Sequence, residues 1–273
     1  MRTDSLALAP RIADKFKAIN CLDAVGLGGS QSGAILDKHS DIYLYMYADE
    51  VVPFEMRKTI VTELGPRKAD LNLTFWDVGD EWYDLATGTE IDIIYWDKTW
   101  IKDQIDRSIV DHQANMGYST CFWDTVLNSK VMFDRDGWLT TLQKKCNQPF
   151  PEPLRQAIIA KNYPVLRKVI PSYYGQIRKA VDWNDLISIN HRLAALFASY
   201  FDILFALNRV LNPGEKKIMR FVQDNCSIVP QGLEGMIDSI LVSAARGDER
   251  TLKHLDDVLD ALDKLLILGK IEI

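Results

Sequence analysis

The sequence predicts an α+β fold, in which an N-terminal mixed sheet with helices is followed by an all-helical C-terminal bundle. Strand-like alternation of apolar and polar residues is confined to the first half, and long amphipathic segments at helical spacing fill the second. Three prolines within residues 147–153 separate the halves, as in a hinge or linker. We therefore expect two domains, residues 1–148 and residues 149–273.

The first half mixes helix and strand signals. Leu8, Ile12 and Phe16 recur at helical spacing and predict a helix over residues 5–19. Residues 23–29 form a short apolar run that ends in glycines, which is typical of a buried strand. A second helix is predicted from Pro53 to about residue 64, because proline suits the first helical turn and Gly65 suits the stop.

Three segments alternate as strands do: residues 41–47, 69–77 and 89–97. In the first of them, Ile42, Leu44 and Met46 share one face. The opposite face carries Asp41, Tyr43, Tyr45 and Tyr47.

The second half lacks strand signals. Asn184 or Asp185 is placed to cap a long helix through residues 186–211. Two further amphipathic segments follow, at residues 231–245 and 249–269, and predict a helical bundle.

Composition excludes several classes of protein. A net charge of −6 argues against a broad surface for duplex nucleic acid. Four widely spaced cysteines form no metal-ligand pattern and predict reduced thiols in a cytoplasmic protein. The N-terminus does not have the pattern of a signal peptide, and no apolar run approaches the roughly 18 residues of a membrane span.

A glycine turn and two acidic strands form the pattern that points to chemistry. Gly28 and Gly29 permit a sharp turn that brings backbone N–H groups to an anion, and Ser30 can cap a following helix, where phosphate is favoured. Asp41 begins a polar strand face, and about fifty residues later Glu90 and Asp92 share a face of another strand. Carboxylates from two such strands can surround a divalent metal pair of the kind that promotes phosphoryl displacement.

These residues also have ordinary structural interpretations. Asp41 can simply end a strand, and Glu90 fits the rim of a sheet better than a metal site. Asp92 is harder to explain in this way, because a charge flanked by isoleucines needs a partner or an ion. Tyr43 is equally compatible with packing and with a wall that stacks on a base or substrate.

In this order, the segments "LGGS", "SDIYLYMY" and "EIDIIYW" resemble the nucleotidyltransferase superfamily, with the DNA polymerase β-like fold. Within it the chain is most similar to bacterial aminoglycoside and lincosamide nucleotidyltransferase-like proteins, and "FALNRVLNPGEKK" resembles a segment of their helical half. The resemblance implies attack of a small-molecule hydroxyl on the α-phosphate of ATP or another nucleoside triphosphate, with Mg²⁺ as cofactor and pyrophosphate leaving. The acceptor it implies is an antibiotic of the aminoglycoside or lincosamide type.

The resemblance also implies roles for individual residues. Asp41 would bind the metal, and Asp92 would hold the second metal or take the proton of the acceptor hydroxyl. Glu90 is a further candidate ligand. The nucleotide phosphates would be held by Gly28, Gly29 and Ser30, and the triphosphate would be reached by Lys216 or Lys217, which are otherwise ordinary solvated lysines.

The chain departs from the family pattern at Tyr43, where the family has a second carboxylate two residues after the first. A tyrosine is neutral at pH 7 and cannot replace a carboxylate beside Mg²⁺. Three hypotheses follow: an active nucleotidyltransferase, a nucleotide-binding protein impaired by Tyr43, and a protein-modifying or antitoxin-type relative. We expect nucleotide binding, with slow transfer or none.

Overall fold

The computed structural model describes residues 2–28, 41–75 and 77–269, with side chains from Ala7 onward. The chain divides into two compact units. The first comprises the residues up to Asp106 together with Phe122–Gln148, and the second comprises Arg107–Cys121 and the residues from Pro149. The division after residue 148 coincides with the proline-rich stretch.

Residues 107–121 lie in the second unit, whereas the sequence assigned them to the first. Their hydrogen bonds explain this placement. The Gly117 N–H donates to Asn162 Oδ1 at 2.9 Å, and the Ser119 hydroxyl donates to Asp202 Oδ2 at 2.6 Å. Asp202 is 1% exposed, so this segment is tied to a buried carboxylate of the helical unit.

Helices and strands are mixed along the chain up to residue 146. The elements are α1 (Arg2–Phe16), β1 (Leu22–Gly28), β2 (Ile42–Ala48), α2 (Phe54–Leu64), β3 (Pro66–Leu73), β4 (Gly79–Asp84), β5 (Glu90–Asp97), α3 (Lys98–Ile109), α4 (Cys121–Asn128), β6 (Lys130–Asp134) and α5 (Trp138–Cys146). The helices predicted over residues 5–19 and 53–64 and the strands β1, β2, β3 and β5 are confirmed, with β3 beginning and ending earlier than expected.

The six strands form one mixed sheet in the order β3-β4-β5-β2-β1-β6. Within this sheet β2 and β5 pair in parallel, and the other described pairs are antiparallel. The connection from β2 to β5 contains α2, β3 and β4, long enough for the crossover that parallel neighbours require.

One face of the sheet forms the core of the first unit. Ile42, Leu44 and Met46 of β2 are fully buried, as are Ile91 and Ile93 of β5. They belong to one apolar cluster with residues of α1 and α2. This arrangement confirms the predicted alternation in β2 and assigns its tyrosines to the opposite face.

A buried ion pair ties α2 to the sheet. Nη1 of Arg57 donates to both carboxylate oxygens of Asp80 at 3.0 Å, and the two side chains are 2% and 0% exposed. Asp80 also accepts hydrogen bonds from the Asn72 N–H at 2.8 Å and the Tyr95 hydroxyl at 2.7 Å. The carboxylate therefore joins β3, β4 and β5 to α2, with its charge and hydrogen-bonding capacity satisfied.

The regular elements of the second unit are all helices within its described residues, as predicted. Its further helices are α6 (Glu152–Arg167), α7 (Tyr173–Asp182), α8 (Leu186–Asn208), α9 (Ile218–Asn225), α10 (Leu233–Ala244) and α11 (Arg250–Leu268). Asp185 caps α8 by accepting from the Ser188 N–H at 3.0 Å, which selects between the two predicted caps. No described helix, including the 23-residue α8, combines the length and apolar character needed to cross a lipid bilayer.

We predict that Asp80→Ala lowers the free energy of unfolding by about 3–5 kcal/mol, because it leaves the buried Arg57 without its counter-charge. Asp70→Ala is the matched control. Asp70 pairs with Lys68 at 3.0 Å on the surface of the same sheet, and we expect it to cost at most about 1 kcal/mol. Urea unfolding followed by tryptophan fluorescence measures both values. Equal losses for the two variants would contradict a special role for the buried pair.

Candidate functional site

Strand register assembles a row of side chains on the sheet face opposite the core. Tyr43 on β2 is paired with Gly28 of β1 on one side and with Asp92 of β5 on the other. Asp92 is in turn paired with Glu81 of β4. Because paired residues on adjacent strands point to the same face, Tyr43, Asp92 and Glu81 lie side by side.

A second acidic group lies one step along the same strands. Glu90 precedes Asp92 by two residues on β5 and accepts a hydrogen bond from the Tyr83 hydroxyl at 3.1 Å. This hydrogen bond and the charge of Glu90 raise the pKa of Tyr83, and the charge of Asp41 adds to the shift. Asp41, immediately before β2, is therefore near Tyr83 and Glu90. We call the surface of Asp41, Tyr43, Glu81, Glu90 and Asp92 the polar face.

Tyr45 follows Tyr43 on this side of β2 and is largely buried. Its ring stacks on Trp96, with centroids 4.4 Å apart and planes inclined by 17°. Burial raises the pKa of Tyr45 to about 12, and the nearby charge of Asp92 adds to the shift. Trp96 also contacts Phe122 of α4. Tyr45 thus packs in an aromatic cluster at the edge of the polar face.

Gly28 is needed for steric reasons at its place in the row. A Cβ atom there would lie 2.3 Å from Cε2 of Tyr45, far too close for two non-bonded carbon atoms. The glycine therefore allows the Tyr45 ring to lie across the end of β1. Gly29 and Ser30, the other predicted phosphate-binding residues, lie outside the described residues, so their roles stay predictions.

Asp124 is a carboxylate beside this face that the sequence did not single out. It lies in the first turn of α4 and accepts a hydrogen bond from Nδ2 of Asn128 at 2.9 Å. Burial raises the pKa of Asp124 to about 7, although the Asn128 hydrogen bond opposes the shift. Its charge also contributes to the raised pKa of Tyr45, so the two side chains are neighbours.

The arrangement of carboxylates bears on metal binding. Within residues 2–28, 41–75 and 77–269, no three Asp, Glu, His or Cys side chains converge closely enough to hold an ion by themselves. Asp92 and Glu81 nevertheless occupy directly opposite positions on neighbouring strands, where Cβ atoms are about 4.5–5.5 Å apart and like charges are unfavourable. A cation shared with another ligand fits this pair better than a site built only of protein.

The two lysines predicted to reach a triphosphate belong to the second unit. Lys216 and Lys217 are both exposed and precede α9, with Lys217 at its N-cap in the left-handed region at φ 54°. Their predicted role is not tested by this placement.

Glu81 and Asp124 escaped the sequence analysis for different reasons. The segment 79–84 that contains Glu81 forms β4, but its charged residues gave no apolar alternation. The strand does alternate between buried and less buried side chains, but its buried side chains are Asp80, Trp82 and Asp84, two of which are charged. Asp124 lies in a short helix, and nothing in the sequence brings that helix against Tyr45.

Comparisons with known proteins found little. No protein-family model and no curated protein matches the chain. Among solved structures, the chain is similar to a nucleotidyltransferase-like protein from Exiguobacterium sibiricum 255-15, with a TM-score of 0.45 and 12% sequence identity. The alignment covers 94% of this chain and 73% of that chain. Similarity at this level assigns neither a family nor a function, so the evidence for function comes from the residues of this chain.

We predict that Asp124 makes stability depend on pH. Its pKa is about 7 in the folded protein and near 3.8 when exposed, so the folded state keeps a proton that the unfolded state has lost. Stability should therefore fall as pH rises from about 4 to 7, by up to about 1.4 kcal/mol per unit, and level off above. Urea unfolding of the wild type and Asp124→Asn across this range measures the difference. Parallel pH profiles for the two proteins would show that Asp124 titrates normally.

Proposed function

We propose that this protein is a nucleotidyltransferase that binds a nucleoside triphosphate and a divalent cation at the polar face. It transfers the nucleoside monophosphate to a hydroxyl of a small molecule. The row formed by Tyr43, Asp92 and Glu81 supports the proposal most strongly, because it sets two carboxylates opposite one another at the edge of an aromatic cluster. The sequence resemblance supports ATP as the donor and Mg²⁺ as the cation.

The residues fit a cation that is shared with phosphate. Mg²⁺ is commonly bound by one or two carboxylates, several waters and substrate phosphates, not by a cage made only of protein. Asp92 and Glu81 supply such a pair of carboxylates, and Asp41 lies near the adjacent Glu90. A cation bound here would also convert the repulsion between Asp92 and Glu81 into a shared attraction.

In phosphoryl transfer, the protein mainly stabilises the developing charge and orients the reactants, and does little covalent chemistry itself. A bound cation would offset negative charge on the phosphates. Asp92 and Asp41 would fix its position relative to the sheet. Gly28 leaves space for the Tyr45 ring at the end of β1, next to the glycine turn that the resemblance assigns to the phosphates.

Glu81 is a candidate to replace the carboxylate that is missing at position 43. Tyr43 is directly beside Asp92, in the row where a second acidic ligand would be expected. Glu81 flanks Asp92 on its other side and brings back one negative charge to that row. Glu90 remains a candidate ligand, but it belongs to the adjacent row and is hydrogen-bonded to Tyr83.

A second candidate function is nucleotide binding without transfer. Tyr43 favours this alternative. Glu81 approaches Asp92 from the side opposite to Tyr43, so it does not occupy the position of the family carboxylate that Tyr43 replaces. The class of acceptor, aminoglycoside-like or lincosamide-like, is supported by the sequence resemblance alone.

We predict that Asp92→Asn abolishes nucleotidyl transfer and weakens Mg²⁺-dependent ATP binding at least tenfold, because it removes the central carboxylate of the row. Asp70→Asn, in the same row but on the edge strand β3, should leave both unchanged. Isothermal titration with ATP in the presence and absence of Mg²⁺ measures binding, and pyrophosphate release measures transfer. An Asp92→Asn protein that binds MgATP as the wild type does would refute the proposed site.

Tyr43 provides a test that separates the two candidate functions. Tyr43→Asp should raise Mg²⁺-dependent pyrophosphate release by about 10²-fold, because it adds a carboxylate beside Asp92. Tyr43→Phe is the control for the phenol oxygen and should leave the rate unchanged. If the wild type is already fast and Tyr43→Asp is no faster, Tyr43 does not impair the site. Loss of activity in Tyr43→Phe would show that the phenol itself takes part.

A further inference from the structure

Two loops of the second unit meet at one buried carboxylate. The first loop (residues 110–120) follows α3, and the second loop (residues 209–217) follows α8. Asp202 of α8 is 1% exposed and accepts hydrogen bonds from both loops. The Ser119 N–H and hydroxyl donate to it at 3.0 and 2.6 Å, and Nδ2 of Asn212 donates to it at 3.0 Å. The two loops are therefore fixed beside each other by a well-satisfied buried charge.

The first loop holds Tyr118 in a strained backbone conformation. Its φ is 56°, in the left-handed region that residues with a Cβ atom adopt only at a cost. The hydrogen bonds on either side fix this conformation. The Gly117 N–H donates to Asn162 Oδ1 at 2.9 Å, and the Ser119 N–H is held by Asp202. The loop thus imposes on Tyr118 a conformation that glycine or asparagine would adopt at less cost.

Packing does not explain why a tyrosine stands at this position. Tyr118 is 39% exposed and Met116 is 43% exposed, whereas Gly117 between them is buried. The two side chains therefore project from a buried turn of backbone, and more than a third of the Tyr118 surface faces solvent. Residues that are held under backbone strain cluster at active sites and ligand clamps. The combination of strain and exposure points to a ligand for the Tyr118 ring.

The second loop brings charged side chains towards this ring. The Asn212 N–H donates to the Thr120 hydroxyl at 2.7 Å, so the two loops are in direct contact two residues from Tyr118. Glu215 follows on the second loop. Burial raises the pKa of the Tyr118 phenol, and the charge of Glu215 adds to the shift. The part of the second loop that carries Glu215 therefore lies within electrostatic range of the ring.

Two exposed lysines end the second loop. Lys216 and Lys217 follow Glu215 directly, and Lys217 has a φ of 54°, so it combines strain with exposure as Tyr118 does. An aromatic ring binds flat surfaces by stacking, and a lysine ammonium binds phosphate as a point charge. A nucleotide presents both a flat ring and phosphates. The two loops therefore have the chemistry that a nucleotide requires.

We propose that Tyr118 is the platform on which the base of the nucleoside triphosphate stacks. This inference rests on the proposed nucleotidyltransferase function and deepens it, because it assigns recognition of the base to a residue of the second unit. The fixed loop holds the ring at the surface before the ligand arrives, which lowers the cost of ordering on binding. Every base has a π-face, so stacking distinguishes a nucleotide from a bare polyphosphate and not ATP from other nucleoside triphosphates.

Isothermal titration of the full chain with MgATP and with magnesium tripolyphosphate, which has the phosphates but no base, tests the platform. Tyr118→Gly should weaken MgATP binding by about tenfold and leave tripolyphosphate binding within about twofold of the wild type. Tyr118→Phe keeps the ring and should bind both as the wild type does. Met116→Ala is the matched control, because it truncates the other exposed side chain of the same turn, and it should change neither affinity.

The possible results separate this inference from the proposed function. A Tyr118→Gly protein that binds MgATP as tightly as the wild type would overturn the platform and leave the proposed function standing. Equal losses for MgATP and tripolyphosphate would also overturn the platform, because the ring would then act on the phosphates or on the fold and not on the base. A wild type that binds neither compound would overturn both the platform and the proposed function.

Discussion

The parallel pairing of β2 with β5 is the constraint on which the polar face depends. It sets Tyr43 opposite Asp92 and continues in one register to Ala48 opposite Asp97. Because successive side chains of a strand point to opposite faces, a slip of one residue would turn Asp92 into the apolar core and bring an isoleucine to the polar face. The buried Ile42, Leu44, Ile91 and Ile93 exclude that slip through the cost of exposing them.

The buried ion pair between Arg57 and Asp80 supports this register from the core side. Asp80 is adjacent to Glu81 on β4, so the contact that holds Asp80 inward directs Glu81 outward beside Asp92. The hydrogen bond from Tyr95 of β5 to the same carboxylate links the two strands independently of the sheet ladder. The placement of charges on the polar face is thus determined by a contact on the opposite side of the sheet.

The sequence was sufficient to predict the elements whose alternation or capping signals are local. It predicted β2 and β5, the start and stop of α2, and the helical second half, because each depends on residues within a few positions of one another. It could not predict β4, since Asp80 is tolerable in a strand interior only through Arg57, 23 residues earlier in the chain. The placement of residues 107–121 in the second compact unit has the same kind of cause, because Asp202 lies 83 residues from Ser119.

The site was predictable only in part. Asp92 stood out in the sequence as a charge between isoleucines. Its neighbours on the sheet depend on the strand register, which a single sequence does not specify. Glu81 therefore became visible only in the structure. Asp124 required both the placement of α4 against Tyr45 and the burial that raises its pKa to about 7, neither of which leaves a local pattern in the chain.

The most direct test of the polar face as a cation and nucleotide site is a crystal structure with Mn²⁺ and a non-hydrolysable ATP analogue, with the metal located by its anomalous scattering. We expect an anomalous peak at coordination distance, roughly 2.0–2.3 Å, from a carboxylate oxygen of Asp92, with phosphate oxygens completing the shell. A metal and nucleotide bound elsewhere, with Asp92 and Glu81 contacting neither, would contradict it.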